Sequence, residues 1–322
     1  MANNSIVTHF LLMSFPEVQE LQNIPFVVFL IIYLTALMWN LLIIAVVILN
    51  EHLHKPMHFF VLNLSVVDLG YISVTIPKVM ANSIMKTRWI LYSHCVAQLF
   101  FFVLFGASEF LLLTVMAYDR YVAICYPLHY EMMINRGSCI GMAGFAWMLG
   151  VLTATLYAGA TFASPFCSNI IHQFFCEIPT LLMLSCSDMY LIEVGAIVLT
   201  GCLYFGCILF ILITYVQIFK AVMRIPSAQG RQKAFSTCLP HLIVLSMFYF
   251  FGVFAYFRPT NRTPSQLDLV AAVAYCVVPP FLNPIIYSMR NKDIKGGMWK
   301  LIDWRYSSKT VFCFTYKSNF SR

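Results

Sequence analysis

The sequence predicts an all-α membrane protein: a seven-transmembrane helix bundle followed by a short amphipathic eighth helix. Three observations carry this. Of 322 residues, 61% are hydrophobic and only 10% charged, against about 25% charged in soluble domains, and such a surface cannot be hydrated. Seven apolar stretches long enough to cross a bilayer follow one another with no room between them for a separate soluble domain. The bases fall between and after these stretches, so the net charge of +7 reads as a membrane-orientation signal and not as a footprint for nucleic acid. The chain divides into an N-terminal tail (1–24), a transmembrane domain (25–290), and an eighth helix with a C-terminal tail (291–322).

Taken in order, residues 1–24 hold Glu17 and Glu20 but no Lys or Arg. They lack the basic start of a signal peptide, so the first span directs insertion. Asn3 opens an Asn-x-Ser glycosylation sequon in this tail. The first span, about 25–49, contains Asn40, which is costly against lipid and should face the bundle. The second, about 57–80, is entered through Pro56, a residue suited to a helix's first turn, and carries Asn63 and the isolated carboxylate Asp68.

The third span, about 95–125, brings a helical stripe. At about 100° per residue, Phe102, Gly106, Glu109, Leu113, Met116 and Arg120 share one interior face. The stripe is apolar in its outer half, acidic in the middle and basic at its inner end. A helix of this length rises roughly 45 Å, more than a hydrocarbon core of roughly 30 Å, so Arg120 belongs near a membrane face.

The fourth span, about 139–163, offers Trp147 among small residues that permit close packing. A long outer loop, 164–192, bears Cys167, Cys176 and Cys186. The fifth span (about 193–222) leads through a basic connector, Lys220 to Lys233, into the sixth (about 234–258), which Pro240 should kink or loosen. The seventh runs from about 268 to 289. Beyond it Ile294, Met298, Leu301 and Ile302 share a helical face, with Lys292, Lys295 and Lys300 available to headgroups. That pattern suits a helix lying in the membrane plane, weakened by Gly296 and Gly297. Residues 303–322 read as a cytosolic tail with Cys313 as a palmitoylation candidate.

With the N terminus outside, fifteen of the twenty Lys and Arg fall in inner segments and five in outer ones. Asymmetry of this sign places the C terminus in the cytosol, and seven crossings agree with that parity. Cys95, Cys167, Cys176 and Cys186 then lie on the oxidising side, where three pairings are open.

Several of these stretches resemble one family. Met116-Ala117-Tyr118-Asp119-Arg120-Tyr121-Val122-Ala123-Ile124-Cys125 looks like the signature of olfactory receptors, a branch of the rhodopsin-like G-protein-coupled receptors. Leu53 to Phe60 resembles that family's Leu-His-x-Pro-Met-Tyr-Phe-Phe motif with His58 in place of Tyr. Lys233 to Leu242 is a second specific match, and Asn283-Pro284-Ile285-Ile286-Tyr287 matches the Asn-Pro-x-x-Tyr element. Phe166 to Asp188 resembles the second outer loop, with Gln173 where a His usually stands. Trp39 precedes Asn40 where the family usually has Gly.

The resemblance implies roles. Asp119, Arg120 and Tyr121, with Tyr215, Lys233, His241, Asn283, Pro284 and Tyr287, would serve activation and coupling to a heterotrimeric G protein of the Gs-like olfactory type, raising cAMP. Cys95 would pair with Cys176 and Cys167 with Cys186, and Asp68 with Glu109 would hold a sodium ion; no other cofactor is implied. The partners are then a small volatile odorant, the G protein and the lipid bilayer.

Other classes fit less well. A transporter would show an internal repeat and paired broken helices, and none is visible. An intramembrane enzyme could use Asp68 and Glu109 as a carboxylate pair, but no phosphate loop, zinc spacing or nucleophile elbow accompanies them. The chain reads as a receptor and not as an enzyme. For its ligand, the third span offers Phe102, Val103, Gly106 and Ala107, with no acid among them. The fifth adds Leu199, Thr200 and Leu203, and helical spacing in the sixth puts Tyr249, Val253 and Tyr256 on a common face. Such a cavity suits a small, neutral molecule bearing one oxygen. Phe250, where the family more often has Gly, would narrow it if turned inward.

Overall fold

The computed structural model describes residues 7–12, 23–85, 87–171, 173–185, 190–256, 266–290 and 293–301. In chain order these form β1 (His9–Leu12), α1 (Asn23–Leu49), α2 (Pro56–Met85), β2 (Trp89–Leu91), α3 (Tyr92–Cys125), α4 (Tyr130–Met133), α5 (Arg136–Ala163), β3 (Ile170–Ile171), α6 (Ile178–Leu182), α7 (Tyr190–Met223), α8 (Ala228–Tyr256) and α9 (Gln266–Arg290). A last helix, α10, covers 293–301. Among the described residues six helices are long and apolar enough to cross a membrane, and a seventh, shorter apolar stretch, Val273–Ser288, lies within α9.

The bundle is organised around α3, which packs against α2, α5, α7 and α8. The expected stripe is enclosed: Phe102, Glu109, Leu113 and Met116 are all buried. Small residues decide how closely α5 approaches. A Cβ added to Gly150 would lie 2.2 Å from Ser108 Oγ and 3.1 Å from the Leu104 carbonyl oxygen, so only glycine permits this contact. Trp147 anchors the same face by donating from Nε1 to Asn63 Oδ1 at 3.2 Å.

Helix ends differ from the expected spans where capping extends them. Asn135 and Ser138 form a reciprocal capping box with two bonds of 2.9 Å, starting α5 at Arg136 and not near 139. Ser227 caps α8, accepting from the Gly230 amide at 3.3 Å, so most of the basic connector is helical. In α10, Ile294 and Met298 are buried against the bundle as their spacing suggested. Gly297 is what lets the helix dock: a Cβ there would meet Val46 Cγ1 at 2.6 Å.

The outer end is more ordered than the sequence suggests. β1 is the central strand of a three-stranded sheet, antiparallel to β2 (Phe10 opposite Ile90) and parallel to β3 (Leu11 opposite Ile170). Phe10, Leu12, Ile90 and Ile171 pack there with Leu99, Ile178 and Leu181. The loop expected over 164–192 therefore contains β3 and α6, and α7 begins already at Tyr190. Asn3, Cys186, the tail 303–322 and the Val253 and Tyr256 side chains lie outside the described residues.

Candidate functional site

At mid-depth the polar residues of α2, α3 and α9 converge. Asn283 Nδ2 donates to Asp68 Oδ1 and Oδ2 (3.1 and 3.3 Å) and to Glu109 Oε1 (2.9 Å). All three residues are buried. One amide thus holds two carboxylates that would otherwise repel, while Glu109 Oε2 and Asn283 Oδ1 keep no hydrogen-bond partner in the structure. The backbone chemistry of α9 explains Asn40. Pro284 has no N–H, so the Pro280 carbonyl four residues earlier loses its helical donor. Asn40 Nδ2 supplies that bond at 3.0 Å and also donates to its own helix at Ala36 O, tying α1 to the proline-rich segment.

At the inner end, Arg120 does not snorkel. Its side chain is 12% exposed and Asp119's 2%, and both Nε and Nη2 donate to Asp119 Oδ2. Tyr130, from the short α4, donates its hydroxyl to Asp119 Oδ1 at 2.7 Å. Burial and the adjacent Asp119 charge push the Tyr130 hydroxyl far above its ordinary range, so it remains a donor. A second lock joins three helices. His241 Nε2 meets the Leu113 carbonyl at 2.9 Å, and a carbonyl only accepts, so Nε2 carries the proton. His241 Nδ1 then accepts from Tyr215 OH. Pro284 and Tyr287 are buried beside these groups, the Tyr287 hydroxyl without a hydrogen-bond partner, while Lys233 is exposed and Tyr121 reaches Tyr126.

The outer half of the bundle is aromatic. Phe102 stacks on Tyr71 (ring centroids 4.9 Å apart) and lies 5.6 Å from Phe175 and 6.1 Å from Tyr275. Gly106 lets these rings approach the helix closely: an added Cβ would stand 3.3 Å from Tyr71 Cε2 and 3.9 Å from the Tyr275 hydroxyl. Val103 is part-buried and Ala107 buried on the same helix.

Three expected pocket residues are placed elsewhere. Leu199, Leu203 and Tyr249 are 65%, 37% and 54% exposed. The face that α7 turns to the bundle carries Tyr204, whose ring meets Phe110 at 5.3 Å, and in α8 the enclosed ring is Phe248, near Phe110 and Tyr275. One residue along a helix is a rotation of about 100°, enough to exchange inside for outside. Phe250 is likewise exposed and is not turned inward. Thr200 is buried, but its hydroxyl is already engaged, donating to Ala196 O at 2.7 Å and paired with Tyr157 OH at 2.6 Å.

Above the bundle, Cys95 and Cys176 form a disulfide with Cα atoms 5.7 Å apart. Gln98, which the sequence pattern does not single out, fastens the same point: its Oε1 accepts from the Cys176 amide (2.9 Å) and its Nε2 donates to Val74 O (3.0 Å). Its only signal is a polar side chain one helical turn after a cysteine. Cys167 is also disulfide-bonded, and its amide donates to Leu184 O at 2.9 Å.

Next to this staple, burial raises the Glu177 carboxyl to about 7, a hydrogen bond from Gln173 offsetting part of the shift. A carboxyl raised in the folded state binds its proton more tightly there than when unfolded. Stability should therefore be full below the unfolded value of 4.5 and fall as pH rises through about 7. Thermal melts of purified protein should be higher at pH 5.5 than at pH 8, and Glu177→Gln should flatten the difference; an unchanged pH dependence would place the effect elsewhere.

Seven helices with an aromatic cluster toward the disulfide-bearing end, an ion pair at the Arg120 end and buried polar groups between them have the arrangement of a G-protein-coupled receptor. Residues 29–303 match the family described as olfactory receptor. The chain is 50% identical to human Olfactory receptor 14I1 over 302 residues, covering 94% of this chain and 97% of that one. It is 46% identical to human Olfactory receptor 14A16 over 310 residues, covering 96% and 100%. The chain belongs to the olfactory receptor family. It is an odorant-sensing, multi-pass membrane receptor and not an enzyme.

Proposed function

We propose that this receptor binds a small, neutral, mostly apolar odorant in the outer half of the bundle and activates a Gs-like heterotrimeric G protein, raising cAMP. The observation that carries the ligand class is the aromatic cluster at Gly106, where Tyr71, Phe102 and Tyr275 meet. It supplies apolar surface and phenolic hydroxyls, while the nearest acid on α3, Glu109, is held by Asn283. A charged amine would have to compete with Asn283 for Glu109, and away from that acid it would remain an expensive buried charge. Ligand binding must favour one helix packing over another, and the groups placed to transmit it are Asn283, His241 with Tyr215, and Arg120. The N terminus lies outside the cell and the Arg120 end in the cytosol, in keeping with the asymmetry of Lys and Arg. Cys186, which lies outside the described residues, is assigned as the partner of the Cys167 disulfide by resemblance to the family.

A surface-expression and cAMP screen against a broad odorant panel tests this reading. Responses should come from neutral alcohols, aldehydes, ketones or hydrocarbons, and a strong, selective response to a charged amine would overturn it. Within that screen Gly106→Val should abolish responses to the larger active ligands at normal surface expression, because the added carbons press on Tyr71 and Tyr275.

The mid-depth cluster suits a sodium ion. Its donors are hard oxygens, and two of them, Glu109 Oε2 and Asn283 Oδ1, are buried without partners. Carboxylate and amide oxygens with no imidazole or thiolate among them suit a hard cation better than a transition metal. Asp68 and Glu109 would hold it, and the ion would neutralise their paired charge. Asp68→Asn should remove any sodium dependence of basal or agonist-driven signalling; dependence equal to the parent's would argue against the site.

A further inference from the structure

Two buried tyrosine hydroxyls among the described residues have no hydrogen-bond partner. One is Tyr287, near Arg120, and the other is Tyr71, in the aromatic cluster. Tyr71 is 1% exposed, so its hydroxyl is cut off from water. Its ring stacks on Phe102 and meets Tyr275 edge-on, with 6.2 Å between centroids. Tyr275, Cys276 and Glu109 face the hydroxyl, yet none of them closes a hydrogen bond onto it.

Other tyrosines of the outer half are engaged. Tyr33 pairs with Ser73 at 3.2 Å, Tyr92 donates to the Phe162 carbonyl at 3.5 Å, and Tyr157 pairs with Thr200 at 2.6 Å. An enclosed O–H that donates to nothing costs free energy, and a molecule bringing an acceptor removes that cost. The position suits such a molecule. Tyr71 stands one turn from Asp68 on the same face of α2, as Gly106 stands one turn from Glu109 on α3. Where α3 carries no side chain, at Gly106, the first atoms met are Tyr71 Cε2 and the Tyr275 hydroxyl. A polar donor is thus set among apolar ring surfaces, the arrangement that orients a small ligand.

We propose that the Tyr71 hydroxyl is the hydrogen-bond donor that reads the odorant, which makes the ligand a neutral molecule with an acceptor oxygen: a ketone, ester or ether whose hydrocarbon part lies against Phe102 and Tyr275. This deepens the neutral-odorant reading above and rests on it. A hydrocarbon cannot accept the bond, so Tyr71 sets the preference for oxygen while the rings tolerate either molecule.

The test compares short methyl ketones with alkenes of the same shape, in which a CH2 group replaces the carbonyl oxygen. It uses the full chain in cells, with cAMP and surface density recorded together. The parent should answer the ketones at roughly tenfold lower concentration, the ratio that one neutral hydrogen bond supplies. Tyr71→Phe should bring the two series to equal potency by weakening the ketones alone. Purified Tyr71→Phe without ligand should melt at the parent's temperature or above it, because the change deletes a hydroxyl that bonds nothing. A lower melting temperature would make the hydroxyl structural and overturn the proposal. So would a ketone preference that survives Tyr71→Phe, a loss confined to Tyr275→Phe, or a parent that answers none of the ketones, esters and ethers. Alkenes as potent as ketones on the parent would overturn it while leaving the neutral-odorant reading in place, whereas activation by charged amines alone would end both.

Discussion

Arg120→Ala should abolish agonist-driven cAMP while the protein still reaches the cell surface. The guanidinium is held by Asp119 through two donors, and Asp119 is held in turn by Tyr130. A snorkelling arginine would be exposed and its loss nearly silent. Here the side chain is 12% exposed and lines the inner cavity, so its removal takes the positive charge from the surface where a partner must dock. Loss of the ion pair also leaves Asp119 buried with Tyr130 as its remaining partner, a cost of about 1–3 kcal/mol. That is why surface expression must be measured in the same cells. Asp119→Asn should move signalling the other way, raising basal cAMP by releasing Arg120 from its acid. A well-expressed Arg120→Ala receptor with normal signalling would return the pair to an interfacial role.

The second large effect is at the outer end. Cys176→Ser should leave the receptor retained inside the cell or silent at its surface. The bridge to Cys95 spans 81 residues of sequence, and such bridges typically contribute about 2–4 kcal/mol. More than the bridge is at stake. Cys95 and Cys176 sit in the same apolar cluster as Phe10, Ile90 and Ile171, so the staple, the sheet and Gln98 hold one another. Cys202→Ser is the control, since Cys202 is a free, exposed cysteine on α7. Normal surface density and potency in Cys176→Ser would show the loop to be self-supporting, and peptide mapping that joined Cys95 to Cys186 would contradict the pairing itself.

Much of the candidate site is legible in the amino-acid sequence. The stripe of α3 is readable because a helix repeats every 3.6 residues and a charged residue cannot face lipid. Glu109 and Asp68 have to be interior for the same reason, and both are fully enclosed. Asn40 is expected to face the bundle, but its partner is not visible from its neighbours in sequence. The Pro280 carbonyl lies 240 residues away, and only the meeting of α1 and α9 reveals it. The pocket shows the opposite outcome. Periodicity gives Tyr249, Val253 and Tyr256 a common face without saying which way that face points. In an apolar helix both sides are hydrophobic, so no amphipathic contrast sets the rotation.

The class of molecule and the helical character of its apolar stretches follow from the order of residues alone. Their physical cause is local: burying a backbone and its charges in hydrocarbon allows few solutions. Which turn of α7 and α8 faces inward is settled by helix packing, which makes Tyr204 and Phe248 the enclosed rings. Packing of the outer end likewise makes His9–Leu12 the middle strand between Trp89–Leu91 and Ile170–Ile171. Strand pairing joins segments far apart in the chain, and four residues of a polar-leaning tail carry no periodic signal strong enough to announce it.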